Sequence, residues 1–513
     1  MKMEQLTLLL KRYLGWVLCA LALLVGTVSL DGYGINWDET QQRRTGSIAY
    51  SYVFEGDDGF LEWKDRDYGL AFELPLIIFE KAFHLTDSRN VYLMRHWLTH
   101  FFFLLGCYFF FRLIDYLYQN KLLATLGFLL LLLQPRLYAH SFFNSKDIPF
   151  MAMLIISLYY AVVALDKKTT LSFLKLGVCA GLLINLRIMG VILPAMVLPL
   201  LVVDALKSKN RLPALKGIGI VLAVACLTLY TTWPLLWTAP IDNFVFAFKN
   251  MSKFRWGGTV LFFGDMVKAT EIDWTYFPVW FSMTNPIPYL LLGLSGLLLL
   301  IVRGFKAQGE VIKNTHTRHN VLFAFLFLAP ILVVIVLKSV LYDGWRQLYF
   351  VYPAFALLIV YGLHRIQQTQ LFKPTLGLLA ISFVATSVFM VRSYPVQNVY
   401  FNNALAAAPP EYLRKNFEQD YWGTSYKQAI EHVLAQVPDS TISICLANTP
   451  DPFNKELLRK KDRVRVQFLP EAEAQFFITN YRWHPQNYTE YQDRSFHSIS
   501  INGSTVCETF KLK

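Results

Sequence analysis

The stretch Asp147-Ile148-Pro149-Phe150-Met151-Ala152-Met153-Leu154-Ile155-Ile156-Ser157-Leu158-Tyr159-Tyr160-Ala161-Val162-Val163-Ala164-Leu165-Asp166-Lys167-Lys168 decides the architecture. No residue between Asp147 and Asp166 is charged, and an apolar helix of that length crosses a hydrocarbon core roughly 30 Å thick. Charges stand at both ends, so the chain is expected to pass from one aqueous face to the other, with the span near 149–165. Runs of the same kind recur on either side. Of 513 residues 55% are hydrophobic and only 16% charged, against roughly a quarter charged in soluble domains. A purely soluble protein is excluded.

Working outward from that run, about eleven spans are expected, near 13–30, 92–111, 121–138, 149–165, 171–186, 189–204, 214–233, 286–303, 321–338, 350–364 and 375–391. The first follows Lys11 and Arg12 and ends in Val28-Ser29-Leu30-Asp31 without a small-x-small cleavage site, so it reads as a retained span rather than a signal peptide. Lys and Arg collect in every second connection, at Arg112 and Lys121, Lys167 and Lys168, Lys207, Arg211 and Lys216, Arg303 and Arg318, and Arg365 and Lys373. By the positive-inside rule these connections and the N-terminus are cytoplasmic. Basic residues confined to short loops also account for the net charge of +12 without a nucleic-acid partner.

An odd number of spans puts everything beyond Arg392 on the outer side. The expected fold class is therefore an α-helical polytopic membrane protein over residues 1–391, followed by a small extracytoplasmic α/β domain over 392–513. In that domain a helix is expected over 426–436 and strands over 441–446, 464–469, 475–479, 495–501 and 505–512. Two outer connections are long. In 31–91 the apolar run 69–83 is broken by Glu73, Pro75 and Glu80 and is too short to span, so it should lie along the interface. The segment 234–285 is rich in Trp, Phe and Pro, which suits the headgroup level. Cys19, Cys107, Cys179 and Cys226 fall in apolar runs. Cys445 and Cys507 are the pair available for a disulfide if the tail is extracytoplasmic.

Polar residues concentrate where apolar ones would be cheaper. Asp38 and Glu39, in Asn36-Trp37-Asp38-Glu39-Thr40, stand just beyond the first span and offer a general base beside a group that orients a hydroxyl or binds a cation. The plainer alternative makes Asp38 a helix N-cap, with Gln41 completing a capping box. The loop after the third run holds Arg136, His140, Asn144, Lys146 and Asp147; charges at the edge of a bundle need partners, water or a function. Here the plainer reading is that Asp147 caps the next helix, Pro149 sits in its first turn and Lys146 snorkels. Arg187 and Arg346 run against the positive-inside trend. A phosphate at the outer interface would explain them, together with Arg136 and Lys146, since guanidinium forks match its oxygens. Against this, Arg346 could simply form an exposed pair with Asp343, worth less than about 1 kcal/mol. His96, His100 and His364 lie near span ends and are expected to pack.

The topology brings these clusters to one membrane face. Carboxylates beside several cations at the headgroup level suit group transfer from a lipid phosphate. With a glycosyl donor, a carboxylate takes the proton of the attacking hydroxyl, cations stabilise the departing phosphate, and attack opposite the leaving group inverts the anomeric centre.

The order of these pieces along the chain resembles a known family. Asp38-Glu39 follows the first span, Phe143-Asn144-Ser145-Lys146-Asp147-Ile148-Pro149-Phe150 the third and Arg187-Ile188-Met189-Gly190 the fifth. Then come Arg346-Gln347-Leu348-Tyr349-Phe350-Val351-Tyr352-Pro353, Val399-Tyr400-Phe401-Asn402 and Phe417-Glu418-Gln419-Asp420-Tyr421-Trp422-Gly423-Thr424-Ser425. Together, over residues 1 to 430, they are similar to the glycosyltransferase family 39-like membrane enzymes of the GT-C fold, which include protein O-mannosyltransferases and lipid A aminoarabinose transferases. The resemblance implies a polyprenyl-phosphate sugar donor and a lipid, glycan or protein hydroxyl acceptor. It makes Asp38 similar to the catalytic aspartate and has Glu39 position the acceptor. Asp147 resembles the second acidic residue, which in some members shares a divalent cation (Mg, Mn or Zn) with the first. Lys146 and Arg187 would lie near the phosphate, with His140, Asn144 and Tyr349 peripheral on the acceptor side. It also implies a bacterial inner membrane, with the N-terminus cytoplasmic and the C-terminal domain periplasmic. One departure stands out: 234–285 is too short for the β-trefoil domain of eukaryotic protein mannosyltransferases, which puts a protein acceptor in doubt.

Two other readings compete. A polytopic transporter or lipid flippase would place ionisable groups or broken helices near the midplane, and commonly shows internal duplication; here no two halves look alike. An assembly protein with a partner-binding tail would leave the loop charges unexplained.

Overall fold

The computed structural model of the chain describes residues 3–208, 211–252, 256–306, 315–438, 441–448 and 453–513. Among the described residues nine helices are long and apolar enough to cross a membrane, from Arg12–Gly32 to Phe372–Arg392. A tenth candidate span is a bent pair, and the helix Thr170–Leu186, at 17 residues, is a shorter apolar element. These are the apolar runs of the sequence. Their burial sorts them into layers: Asp147–Lys167 and Arg346–Ile366 are 89% and 83% buried over their apolar windows, but Arg12–Gly32 and Leu212–Thr232 only 17%. The first two form the centre. The others turn Leu24, Val28 and Leu227 outward, as a helix whose solvent is lipid does.

One expected span is not straight. Lys121–Leu132 and Pro135–Phe143 meet at a 65° bend. The Gln134 side chain accepts from Leu137 N at 2.8 Å and caps the second piece, and Pro135 occupies its first turn, where a missing N–H leaves no bond unmade. Hydrophobicity alone runs through this break. Its effect is to bury every residue from Pro135 to Phe143 and carry His140 and Asn144 inward.

Of the first long outer segment, Trp37–Tyr50 and Glu73–Ala82 are helical. It is tied down by Asn185 at the end of Thr170–Leu186, whose side-chain oxygen accepts from Leu70 N (2.7 Å) and Ala71 N (3.1 Å). Approach is so close that a Cβ on Gly69 would stand 1.1 Å from the Asn185 carbonyl oxygen. The second long segment forms the helix Pro240–Ser252, with Ile241, Val245 and Phe248 exposed, and a hairpin of β1 (Thr259–Phe262) and β2 (Asp265–Lys268).

After Arg392 the chain packs back on the helices, where Asn402 Nδ2 donates to the Ser282 and Asn285 carbonyls at 2.7 and 3.1 Å. A five-stranded sheet follows: β3 (Ile442–Leu446), β4 (Val466–Phe468), β5 (Phe476–Thr479), β6 (Ser495–Ile501) and β7 (Ser504–Lys511), in the order β4-β3-β5-β7-β6. The helix Tyr426–Gln436 lays Ile430, Val433 and Leu434 on it. The disulfide that the sequence leaves open does not form. Cys445 lies on β3 and Cys507 on β7 with β5 between them, and both are free. Two spacings of about 4.8 Å put them roughly 10 Å apart across the sheet alone, already beyond the ~7 Å that a bridge spans.

Candidate active site

Asn36, not Asp38, caps the helix Trp37–Tyr50. Its side-chain oxygen accepts from Asp38 N (2.7 Å) and Glu39 N (2.9 Å), and its amide donates to the Phe143 carbonyl. The alternative that made Asp38 the cap is thus corrected, the cap lying two residues upstream, and both carboxylates fall in the first helical turn, where the helix end favours negative charge. Neighbours on a helix diverge by about 100°, so the pair separates. The Asp38 side chain is 45% exposed, whereas that of Glu39 is buried. Glu39 faces His96 Nε2 at 3.1 Å and Arg95 Nε at 3.9 Å. Arg95 in turn donates to Glu73 at 2.6 Å, and Glu73 accepts from Ser145 Oγ. Glu39 is therefore buried beneath its helix against His96 and Arg95, on a different side from Asp38.

The loop before Asp147–Lys167 is organised by Asn144. Its oxygen accepts from Lys146 N (3.2 Å) and Asp147 N (2.8 Å), and its amide donates to Asp147 Oδ2 at 3.0 Å. Asp147 is consequently not a cap. Its Oδ1 is bound by Arg187 Nη1 and its Oδ2 by Arg346 Nη1 at 3.2 Å. Arg187 reaches it from extended backbone immediately after Thr170–Leu186.

Arg346 is the hub. One terminal nitrogen takes Asp147; the other lies 3.3 Å from Asp38 Oδ2 and 3.0 Å from Asp343 Oδ2. Its guanidinium is flanked by the rings of Trp422 at 4.5 Å and Tyr342 at 4.8 Å. The Asp343–Arg346 pair is real but buried, at 1% and 3% exposure, which corrects the expectation of a weak exposed pair. Asp343 and Gly344, with φ of 56° and 69°, make the turn that aims it.

Arg187, Arg346, Lys146 and Tyr342 form the polar end of a cavity of about 350 Å³. Its remaining walls are mostly apolar, from Ile188 and Ile192, from Pro330 and Val333 of Thr315–Val336 with Leu337 just beyond it, and from Phe248 and Met251 of Pro240–Ser252. Among the described residues Lys146 has no carboxylate within ion-pair distance; its Nζ sits 3.4 Å from the centre of the Tyr68 ring. Burial and the neighbouring Arg187 charge push its pKa down to about 8. A cation without a carboxylate, at the end of an apolar cavity, is ready for an anion with an apolar tail.

Residues 96–233 match the family model described as dolichyl-phosphate-mannose-protein mannosyltransferase. The apo crystal structure of ArnT from Cupriavidus metallidurans is similar over 97% of this chain and 98% of that one, at 13% identity and a TM-score of 0.50. The chain has the GT-C fold. The same protein bound to undecaprenyl phosphate gives 12% identity, a TM-score of 0.47 and coverage of 96% and 98%. No curated protein sequence matches the chain.

Within this GT-C fold the other expected residues are placed as follows. Arg136 is set apart from the cavity. It is packed between Trp280 and Phe401 and donates to the Tyr400 carbonyl at 3.1 Å, a structural cation rather than a phosphate ligand. His140 is buried behind the site, with Nδ1 3.1 Å from the Asn144 amide, Nε2 3.0 Å from the Tyr421 hydroxyl and the buried Tyr349 ring edge-on at 5.0 Å. His140, Asn144 and Tyr349 do not line the cavity. A divalent cation does not fit either. Both oxygens of Asp147 already face guanidinium groups, Arg346 stands between Asp147 and Asp38, and among the described residues no three His, Cys, Asp or Glu side chains converge. The position a shared metal would need is held by an arginine.

Sequence reasoning missed Glu73, Arg95 and His96 as the support beneath Glu39, and Tyr68, Trp37, Trp422 and Arg482 around the cations. For Arg482 the sequence carries a faint signal, a cation flanked by Tyr481 and Trp483 in an otherwise polar tail.

Proposed function

We propose that this chain is an inverting glycosyltransferase that moves a sugar from a polyprenyl-phosphate donor to a hydroxyl acceptor at the extracytoplasmic membrane face. One observation carries the reading: an apolar cavity whose polar end gathers Lys146, Arg187 and Arg346 beside the accessible carboxylate of Asp38. The prenyl chain lies along the apolar walls. Lys146 and Arg187 hold the phosphate, and Arg346 meets the charge that grows on it as the bond to the anomeric carbon breaks. Asp38 accepts the acceptor's hydroxyl proton as its oxygen attacks from the opposite face. Polyprenyl phosphate leaves and the anomeric configuration inverts.

The family model and the GT-C fold support this chemistry, the alternation of basic loops supports an N-terminus on the inside, and the resemblance of Phe417-Glu418-Gln419-Asp420-Tyr421-Trp422-Gly423 to bacterial members supports a bacterial inner membrane. The ligand class of the undecaprenyl-phosphate-bound ArnT accords with a lipid-phosphate donor. A transporter would place its polar groups within the bundle, whereas here they gather at helix ends. The test is incubation of purified protein in lipid nanodiscs with radiolabelled polyprenyl-phosphate sugars, scoring release of polyprenyl phosphate and labelled product. Turnover abolished by Asp38→Asn, with the variant folded and still binding donor, is the expected result. Unchanged turnover in that variant would remove Asp38 as the base.

A further inference from the structure

Arg346 touches both carboxylates of the site but is itself held by a group from the far end of the sequence. Arg482 follows β5 and is 6% exposed. Its Nη2 donates to Asp343 Oδ1 at 2.7 Å, while Asp343 Oδ2 accepts from Arg346 Nη2 at 3.0 Å and Nε at 3.2 Å. One carboxylate thus bridges two guanidinium groups, one from the sheet domain and one in the site.

Arg482 is fixed independently of Asp343. Its Nη1 donates to the Tyr421 carbonyl, and its guanidinium lies 4.8 Å from the Trp37 ring and 5.0 Å from the Trp483 ring. Trp37 immediately precedes Asp38, and it packs there because residue 423 is glycine: φ is +66°, and a Cβ would meet Trp37 Nε1 at 2.9 Å. The other acid near Arg482, Glu418 at 3.9 Å, is pushed up to about 8 by burial, so near neutral pH it is largely uncharged. Asp343, at 2.7 Å, is the carboxylate that Arg482 holds by a hydrogen bond.

Two roles fit a buried interdomain ion pair. It can fasten one domain to the other, or it can set the geometry of a third group. Fastening is already supplied elsewhere: Arg463 pairs with Asp87 at 3.1 Å, and Asn454 accepts from Ile35 N at 2.8 Å. Among the described residues, Arg482 is what fills the second oxygen of the carboxylate that aims Arg346. Without it, Asp343 would keep a buried oxygen without a partner and could turn away from Arg346. Arg346 would then be drawn toward Asp38 and Asp147.

We propose that Arg482 is a positioning residue for glycosyl transfer, and that the C-terminal domain completes the active site by fixing Arg346 through Asp343. This rests on the glycosyltransferase reading for its kinetic consequence but not for its structural one. In full-length protein, Arg482→Gln should lower kcat by about 10- to 100-fold, the loss that follows when a catalytic group is displaced by about 1 Å. Donor KM should change less than about threefold, because Lys146 and Arg187 still hold the phosphate. Arg482→Lys, which keeps a cation between the two tryptophans, should recover part of the loss. Arg463→Gln, which removes a fastening pair, should leave kcat unchanged. Asp343→Asn combined with Arg482→Gln should be no slower than the slower single variant, because the two act along one chain of contacts.

A kcat for Arg482→Gln within twofold of the parent, equal losses in the Arg463 and Arg482 variants, or additive losses in the double variant would overturn the proposal. A cryo-EM structure of Arg482→Gln needs no substrate. It should show Arg346 released from Asp343; an unmoved Arg346 overturns the proposal whatever the enzyme does, and wild-type protein inert toward every lipid-linked sugar would instead refute the glycosyltransferase reading.

Discussion

Lys146 should make donor binding depend on pH in a way that its neighbours do not. Its pKa is held down to about 8 by burial and by Arg187, so the free protein carries the ammonium below pH 8 and loses it above. A phosphodiester donor keeps its single charge throughout this range. If only the protonated lysine binds it well, apparent affinity scales with the protonated fraction, about 0.9 at pH 7 and about 0.1 at pH 9. Donor Kd should therefore rise about tenfold between these pH values, equivalent to about 1.4 kcal/mol. The sign follows from the direction of the shift: a depressed lysine is charged, and binds, on the acid side. Equilibrium binding of a fluorescent polyprenyl-phosphate sugar to protein in nanodiscs, from pH 6.5 to 9.5, measures it. Lys146→Arg keeps its charge throughout and should give a flat profile. Glu418 titrates in the same region, so Glu418→Gln is the second control and should keep the wild-type slope. A flat wild-type profile, or the same tenfold slope in Lys146→Arg, would refute the assignment of Lys146 to the phosphate.

Other consequences follow from particular contacts. Asp38→Asn should reduce transfer by about 10²- to 10⁴-fold, the usual contribution of a general base, while donor Kd stays within a few-fold. Because Arg346 occupies the space between Asp38 and Asp147, EDTA should leave the initial rate unchanged; loss on chelation with recovery on adding Mg, Mn or Zn would show that the acids bind a metal after all. Gly69→Ala should lower the melting temperature in detergent, since its Cβ has no room beside Asn185 and overpacking of this kind costs about 1–3 kcal/mol; an unchanged melt would show that the loop yields. Thiol titration of unfolded, unreduced protein should find Cys445 and Cys507 both free.

Much of the fold was legible because its signals are local. Apolar length located the spans, and period-two alternation located the strands of the tail close to their observed ends. The break at Gln134-Pro135 was not legible, since it depends on a cap formed by one side chain inside a run that is apolar on both sides. The site was partly legible for the same reason. Asp38, Lys146, Asp147, Arg187 and Arg346 stand out as charges where the membrane border should be, and the fold brings all five together. Their roles were less legible. Whether Glu39 points into the site or beneath it depends on helix phase, which Asn36 sets two residues earlier than a capping box built on Asp38 would. Arg136 looks like its fellow cations in sequence, yet the bend at Pro135 turns it toward Trp280 and Phe401. Arg482 meets Asp343 only through a contact 139 residues apart in sequence, and no pattern within the tail reports a partner so distant.

The most direct test of lipid-phosphate glycosyl transfer is the anomeric configuration of the product. Purified protein supplied with a polyprenyl-phosphate sugar of defined anomer and a hydroxyl acceptor should release one polyprenyl phosphate for each sugar transferred, and NMR of the product should show the opposite anomer. A product of retained configuration, or donor recovered intact with every sugar and acceptor offered, would contradict it.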